Sequence, residues 1–182
     1  KVVWTLHDCW TFTGHCTHFD FIGCDRWKSG CHDCPQLMAY PRSLFVDRTS
    51  RNYELKRELF TSLGDRLTLV PVSHWLEELV KESFFKGTAV QTIYNGIDTN
   101  VFCPRGNKPA RDYVLGVASP WCERKGFNDF IALRSELPAD VDIMLVGLTR
   151  KQVEALPGGI VGIERTQNVD QLAELYSGAT LF

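Results

Sequence analysis

At 182 residues, the chain has room for one large domain or two small ones. Hydrophobic residues make up 44% and charged residues 23%, the balance of a soluble globular protein, and the formal net charge of -2 argues against a general nucleic-acid binder. No apolar run reaches the length of a membrane span, and no signal peptide opens the sequence.

The predicted elements alternate between strand and helix. Residues 2–6 read as an apolar strand ending at His7-Asp8. The chain begins on this strand, at Lys1, and stops in an apparent strand at 179–182, so it reads as an internal piece of a longer protein. Residues 9–44 lack periodicity and are rich in Cys, His, Gly and aromatics, which predicts a long irregular insertion. A helix is expected over 52–63, with Leu55, Leu59, Phe60 and Leu63 facing inward and Gly64 as its stop. A strand at 67–72 follows. Ser73 can cap a helix over 75–83 whose Trp75, Leu76, Leu79 and Val80 face the core. A strand at 90–93 leads into Tyr94-Asn95-Gly96-Ile97-Asp98. Residues 103–112 are polar and broken by Pro and Gly, the composition of a linker between domains. Beyond it come a strand at 113–118, a helix at 126–137, a strand at 141–146, a short helix at 149–155, a strand at 160–163, a helix at 169–176 and a strand at 180–182. This order implies an α/β fold with parallel sheets covered on both faces. Two such units joined by a linker suggest a ligand cleft lined by the C-terminal ends of the strands.

Chemistry concentrates at two places. In residues 113–126 an apolar strand stops at Ser119-Pro120, and Arg124, Lys125 and Gly126 precede the next helix. Free N–H groups at a helix start, the helix dipole and two cations would suit a phosphate or diphosphate. The same residues also suit an ordinary strand–loop–helix unit with a solvated basic pair. Neither a dinucleotide fingerprint nor a P-loop is present. The second place is the cysteine-rich start, where five of the seven cysteines fall at positions 9, 16, 24, 31 and 34. Cys31-x2-Cys34 has zinc-ligand spacing, and Cys16 and Cys24 supply two more thiols, with Cys9, His15, His18 and His32 as alternates. A structural zinc would explain how a long loop with few aliphatic residues stays folded. Reduced thiols packed as small hydrophobes are the other reading.

Several stretches taken together resemble one family. Thr-Leu-His-Asp at 5–8, Val-Ser-His-Trp-Leu at 72–76, Tyr-Asn-Gly-Ile-Asp at 94–98 followed by Phe102, and Leu-Gly-Val-Ala-Ser through Arg-Lys-Gly at 115–126 resemble retaining glycosyltransferases of the GT-B fold, family 4. The likeness is to the bacterial branch that builds capsule, colanic-acid-like or lipopolysaccharide chains. The cysteine-rich start, with Asp8-Cys-Trp-Thr-Phe-Thr-Gly-His-Cys and Gly30-Cys-His-Asp-Cys-Pro, resembles that branch too. No single motif is specific; their order and spacing carry the likeness.

The resemblance implies two Rossmann-like domains, both incomplete here. Residues 1–102 would be the second half of the acceptor-side domain, and 113–182 the first half of the donor-binding domain. The reaction implied is transfer of a hexose-type sugar from a UDP- or GDP-sugar to a hydroxyl of a growing or lipid-linked glycan, with retained configuration and no catalytic metal. Lys125 falls where the family places its diphosphate-binding Lys. The Arg usual six residues earlier is replaced by Ser119, for which Arg124 or the Ser119 hydroxyl would compensate. His7 falls where a family His meets the donor sugar, although a lone His is more often a buried structural group. Neighbouring Asp8 would orient its ring or simply turn the chain. Asn95 would shape the hinge and line the cleft. Gly147, Arg165 and Thr166 would border the base and ribose. The family's acidic pair, Glu-x7-Glu, would lie beyond Phe182 and its Gly-rich loop before Lys1, so this piece alone would be inactive. A cytoplasmic location, with peripheral contact at the inner membrane face, is implied. The competing readings are a zinc-stabilised module that binds a glycan or partner without turnover, and a nucleotide-sugar epimerase on the same fold.

Overall fold

The computed structural model describes residues 1–106 and 109–182. Asn107 and Lys108, inside the expected linker at 103–112, lie outside the described residues. The chain divides into two compact units, Lys1–Gly96 and Ile97–Phe182. Each holds a three-stranded, all-parallel sheet with helices between the strands, a mixed α/β arrangement of the Rossmann-like kind.

In the first unit, β1 (Val2–Leu6), β2 (Leu67–Pro71) and β3 (Ala89–Val90) lie in that order across the sheet. The last of these is shorter than expected. Its pairing continues through single bonds, Gln91 N–H to Leu69 O and Ile93 N–H to Pro71 O. Two helices connect the strands, α1 (Thr49–Thr61) and α2 (His74–Glu82). Ser73 caps α2 as predicted, its hydroxyl accepting from Leu76 N–H at 3.2 Å. Two helix faces differ from the sequence reading. On α1 the buried positions are Thr49, Tyr53 and Lys56, with Phe60 half-buried, while Leu55 and Leu59 are exposed. On α2, Leu76 and Val80 are buried but Trp75 is exposed.

The insertion after β1 is irregular, as its composition implied, yet it is not loosely held. Phe12, Phe19 and Trp27 pack ring against ring with centroids 4.6–6.3 Å apart. With Cys9 and Cys16 they join Leu6, Leu67, Leu69, Leu76, Val80 and Phe85 in one core. Lys56 pins the segment from α1. Its ammonium donates to the carbonyls of Trp10 at 2.6 Å and Thr13 at 2.9 Å, and lies 3.5 Å from the centroid of the Trp10 ring. Burial pushes its pKa down to about 8.

In the second unit, β4 (Tyr113–Val117), β5 (Asp142–Val146) and β6 (Ile160–Ile163) are neighbours in that order. A single parallel bridge, Val114 to Leu181, adds the expected last strand on the other side of β4. The period of two along β5 sorts side chains between two cores. Ile143 and Leu145 pack with Trp121 and with α3 (Phe127–Glu136) and α4 (Arg150–Glu154). Met144 and Val146 pack with Tyr113, Leu115 and α5 (Val169–Gly178). Gly116 makes room for Trp121, because a Cβ there would meet the Trp121, Leu145 and Phe130 side chains at 2.8–2.9 Å. Residues 102–105 belong to this unit: Arg105 N–H donates to Ser177 Oγ at 2.5 Å, its guanidinium pairs with Asp170 at 2.8 Å, and Phe102 packs edge-on against Tyr176.

Candidate functional site

Parallel register carries the ends of β4, β5 and β6 to one edge of the second sheet. Ser119, Gly147 and residues 164–166 emerge there. Ala118 N–H donates to Val146 O at 3.1 Å and Gly147 N–H to Ile163 O at 2.9 Å, which laces the three strand ends together. Gly147 has φ 92, and a Cβ would sit 2.0 Å from the Ala118 carbonyl oxygen. The backbone can pass this close to the β4 loop only as glycine. Arg165 and Thr166 border a cavity of about 490 Å³ with Gln167, Asn168, Val169 and Leu172.

Arg124 and Lys125 lie on a tight turn, Glu123–Lys125, that runs into α3 through Gly126 at φ 75. The expected row of unpaired N–H groups is shortened by this turn. Lys125 and Phe127 N–H both donate to Cys122 O, and Gly126 N–H to Glu123 O. Asp129 adds a negative charge in the first turn of α3. Positive potential at this corner therefore rests mainly on the two side chains. Both are exposed, and among the described residues neither enters an ion pair or a side-chain hydrogen bond.

In the first unit, His7 follows β1 directly and is exposed rather than buried. It lines a cavity of about 450 Å³ together with Asp8, Trp10, Thr17 and Tyr40. Asp8 turns the chain: its carboxylate accepts from Trp10 N–H at 2.8 Å. Trp10 and Tyr40, both reaching solvent, come from the insertion and were not singled out from the sequence. Trp10 lies in the quoted stretch from Asp8 to Cys16 but was given no role there, and Tyr40 has neither a motif nor a periodic partner to mark it. Asn95 is exposed and closes the first unit one residue before its boundary at Gly96.

A polar cluster at the start of α2 was also missed. Glu77 accepts from Thr92 Oγ1 at 2.6 Å, pairs with Lys81 at 2.8 Å, and meets His74 Nδ1 at 2.9 Å. Hydrogen bonds from Lys81, Thr92 and His74 hold its carboxyl down to about 2. His74 in turn meets the Tyr94 ring edge-on. The helical spacing of His74, Glu77 and Lys81 was legible; the tie to Thr92 needs the fold.

Cys16 is buried in the core of the first unit, Cys24 and Cys31 pack against that core, Cys34 is half-buried, and none of the four is in a disulfide. Burial pushes the Cys16 thiol up to about 11 and also raises Cys31 and Cys34. Among the described residues, no three His, Cys, Asp or Glu side chains stand as a ready ligand set for a metal ion. No described helix is long and apolar enough to cross a membrane.

No protein-family model matches the chain. Over 100 residues it is 38% identical to a protein of Escherichia coli strain K12 described as a putative colanic acid biosynthesis glycosyl transferase, WcaC. The match covers 53% of this chain and 23% of that relative, so the chain corresponds to less than a quarter of the relative's length.

Proposed function

We propose that this chain is part of a glycosyltransferase of polysaccharide biosynthesis, with the GT-B fold and family-4 character that its motifs resemble. The carrying observation is the 38% identity to the colanic acid transferase over more than half of the chain. Two parallel α/β units, each with polar groups at its strand ends, support the reading. In it, residues 1–102 belong to the acceptor-side domain and 113–182 to the donor-binding domain, and a UDP- or GDP-sugar gives its sugar to a glycan hydroxyl with retention.

Breaking a glycosyl–phosphate bond places negative charge on the leaving diphosphate and positive charge on the sugar. A cation already in place beside the phosphate lowers that barrier without reorganisation. Lys125 takes this role, with Arg124 and the Ser119 hydroxyl beside it on the β4–α3 loop. Gly147, Arg165 and Thr166 border the nucleoside. His7 faces the sugar, and Asn95 lies on the path between the two domains.

The test is turnover by the full-length protein, offered UDP-glucose, UDP-galactose, GDP-mannose and GDP-fucose in turn with a methyl hexoside acceptor. Release of UDP or GDP is the readout. Lys125→Ala is expected to lower turnover by on the order of 100-fold. The exposed position leaves its melting temperature within a degree or two of wild type. Wild-type release from any of these donors, with the variant equally active, would overturn the role of Lys125. Sugar transfer with inversion would overturn the retaining assignment.

A further inference from the structure

We propose that Trp10 and Tyr40 form the platform on which the sugar ring of the glycan acceptor stacks, in the cavity beside His7. Naming that sugar an acceptor rests on the glycosyltransferase reading; the binding of a sugar there does not.

Both rings come from the insertion after β1 and line the cavity of about 450 Å³ at the end of that strand. Small-molecule sites run from about 300 to 1,000 Å³, so the space suits a small ligand. Tyr40 is 82% exposed and Trp10 40% exposed, which leaves aromatic surface open beside polar groups. The Trp10 ring is fixed before any ligand arrives. Its backbone N–H donates to the Asp8 carboxylate at 2.8 Å, and its carbonyl accepts from Lys56 at 2.6 Å. The Lys56 ammonium also lies 3.5 Å from the ring centroid. Lys56 lines a neighbouring cavity of about 340 Å³ that Trp10 borders as well, and it does not line this one, so the ammonium covers the ring from the far side. A ring held in this way loses little freedom on binding.

The rest of the lining decides which ligand the rings meet. Among the described residues no Lys or Arg borders the cavity, and Asp8 places a carboxylate there, so a phosphate or diphosphate is disfavoured. Groups that form neutral hydrogen bonds stand ready instead. The His7 ring makes no hydrogen bond among the described residues, and Asp8 uses its Oδ1 oxygen on Trp10 N–H. Thr11, which lines the cavity, has a buried hydroxyl without a partner, and Thr17 adds a second hydroxyl. A ligand that supplies the missing bond removes the cost of such a group. A neutral pyranose matches the whole pattern. The C–H groups of its face cover an aromatic ring, while the hydroxyls around its edge both donate and accept.

The test titrates the full-length protein, labelled with fluorotryptophan, with the methyl glycosides of glucose, galactose, mannose and fucose. The Trp10 resonance, assigned by its loss in Trp10→Phe, should shift saturably with at least one of them and not with glycerol. Tyr40→Ala should weaken that binding about tenfold, and Tyr40→Phe should restore it, because the ring is the contact. Phe45→Ala removes another exposed ring, 94% exposed and outside the cavity, and should bind as wild type. In turnover, Tyr40→Ala should raise the acceptor KM about tenfold and leave kcat within about twofold, with donor hydrolysis in the absence of acceptor unchanged. The proposal is overturned if no hexoside moves Trp10, or if Tyr40→Ala binds the hexoside as tightly as wild type. A shift with UDP-glucose or GDP-mannose alone would give the cavity to the donor and overturn it too. Failure of the glycosyltransferase reading shows separately, as no nucleotide release from any donor. A Trp10 response to hexosides in such a protein would keep the platform as a sugar site.

Discussion

The two units place polar groups at the ends of parallel strands by opposite means. In the second, β5 hands over to α4 within three residues and β6 to α5 within five, and the strand ends are laced by backbone bonds around Gly147. In the first, β1 is followed by residues 7–48 before α1 begins. A short loop inherits its geometry from the strands it joins. A long one must build its own interior, because each ordered residue gives up about 1–2 kcal/mol of backbone entropy. Phe12, Phe19, Trp27, the buried Cys9 and Cys16, and buried Lys56 are that interior. The comparison teaches that equivalent strand ends differ in what holds them: backbone fit in one, side-chain anchoring in the other.

The difference can be broken most forcefully at Gly147. Alanine there must tolerate φ 92 and a Cβ 2.0 Å from Ala118 O, so Gly147→Ala should cost about 3 kcal/mol or more. Fluorine-labelled tryptophan gives a local reading, since Trp121 is in the second unit and Trp4, Trp10, Trp27 and Trp75 are in the first. Trp121 donates its Nε1–H to Val146 O at 2.8 Å, one residue from the substitution. Its resonance should move while those of the first unit stay. Unchanged stability with all five resonances in place would mean that backbone fit does not hold this edge.

The matching substitution in the first unit is Lys56→Met, which keeps the length of the side chain but removes the donor. It leaves two carbonyls, those of Trp10 and Thr13, without their partner, and relieves the burial of a charge. The net loss should be about 2 kcal/mol by urea denaturation. The Trp10 resonance should shift and broaden, and that of Trp121 should not respond. If Trp10 is untouched, the insertion is held by its ring cluster alone and the anchoring argument fails.

How far the sequence could be read follows the same division. Residues 113–163 were read to within a residue or two, because apolar runs buried on both faces are bounded by Ser119-Pro120, Gly126 and Gly147, each of which carries its own conformational signal. Strand ends could be named from these signals, which is how Ser119 entered the reading; Gly147 and Arg165 took their expected roles from the family resemblance applied to the strand ends. The inner face of α1 was misplaced because its buried stripe runs through Lys56, and no hydrophobic pattern points a lysine inward. Trp75 was assigned to the core by character and is exposed. The aromatic nucleus of the insertion has no period, since its rings meet through loops. Trp10 and Tyr40 beside His7 were silent for the same reason. The spacing of the four cysteines suggested a ligand set; the contacts of Gly14 with Cys31 Sγ, of Arg26 with His32 O and of Asp47 with Cys34 N–H are tertiary information.

The smallest effect, and the one that tests whether the first unit also uses local fit, lies at Glu77. This carboxylate ties α2 to Thr92, just past β3, and through His74 faces the chain that leads from Tyr94 to Asn95. Its folded pKa is held down to about 2 against an ordinary value of 4.5, by Lys81, Thr92 and His74. A depressed carboxylate binds fewer protons folded than unfolded, so its contribution is fully present above about pH 4.5. It is lost as pH falls through that value toward 2. Glu77→Gln cannot ionise. It should be less stable than wild type at neutral pH, with the gap closing between pH 4.5 and 2 in denaturation curves taken at each pH. The ion pairs are exposed on the Lys81 and His74 side and screened by solvent, which is why this effect ranks below the other two. A gap that stays constant with pH would assign Glu77 a packing role only. A closing gap accompanied by freer motion of the Tyr94 ring would show that the route to Asn95 is set by one buttressed carboxylate, the first unit's counterpart of the fit made at Gly147.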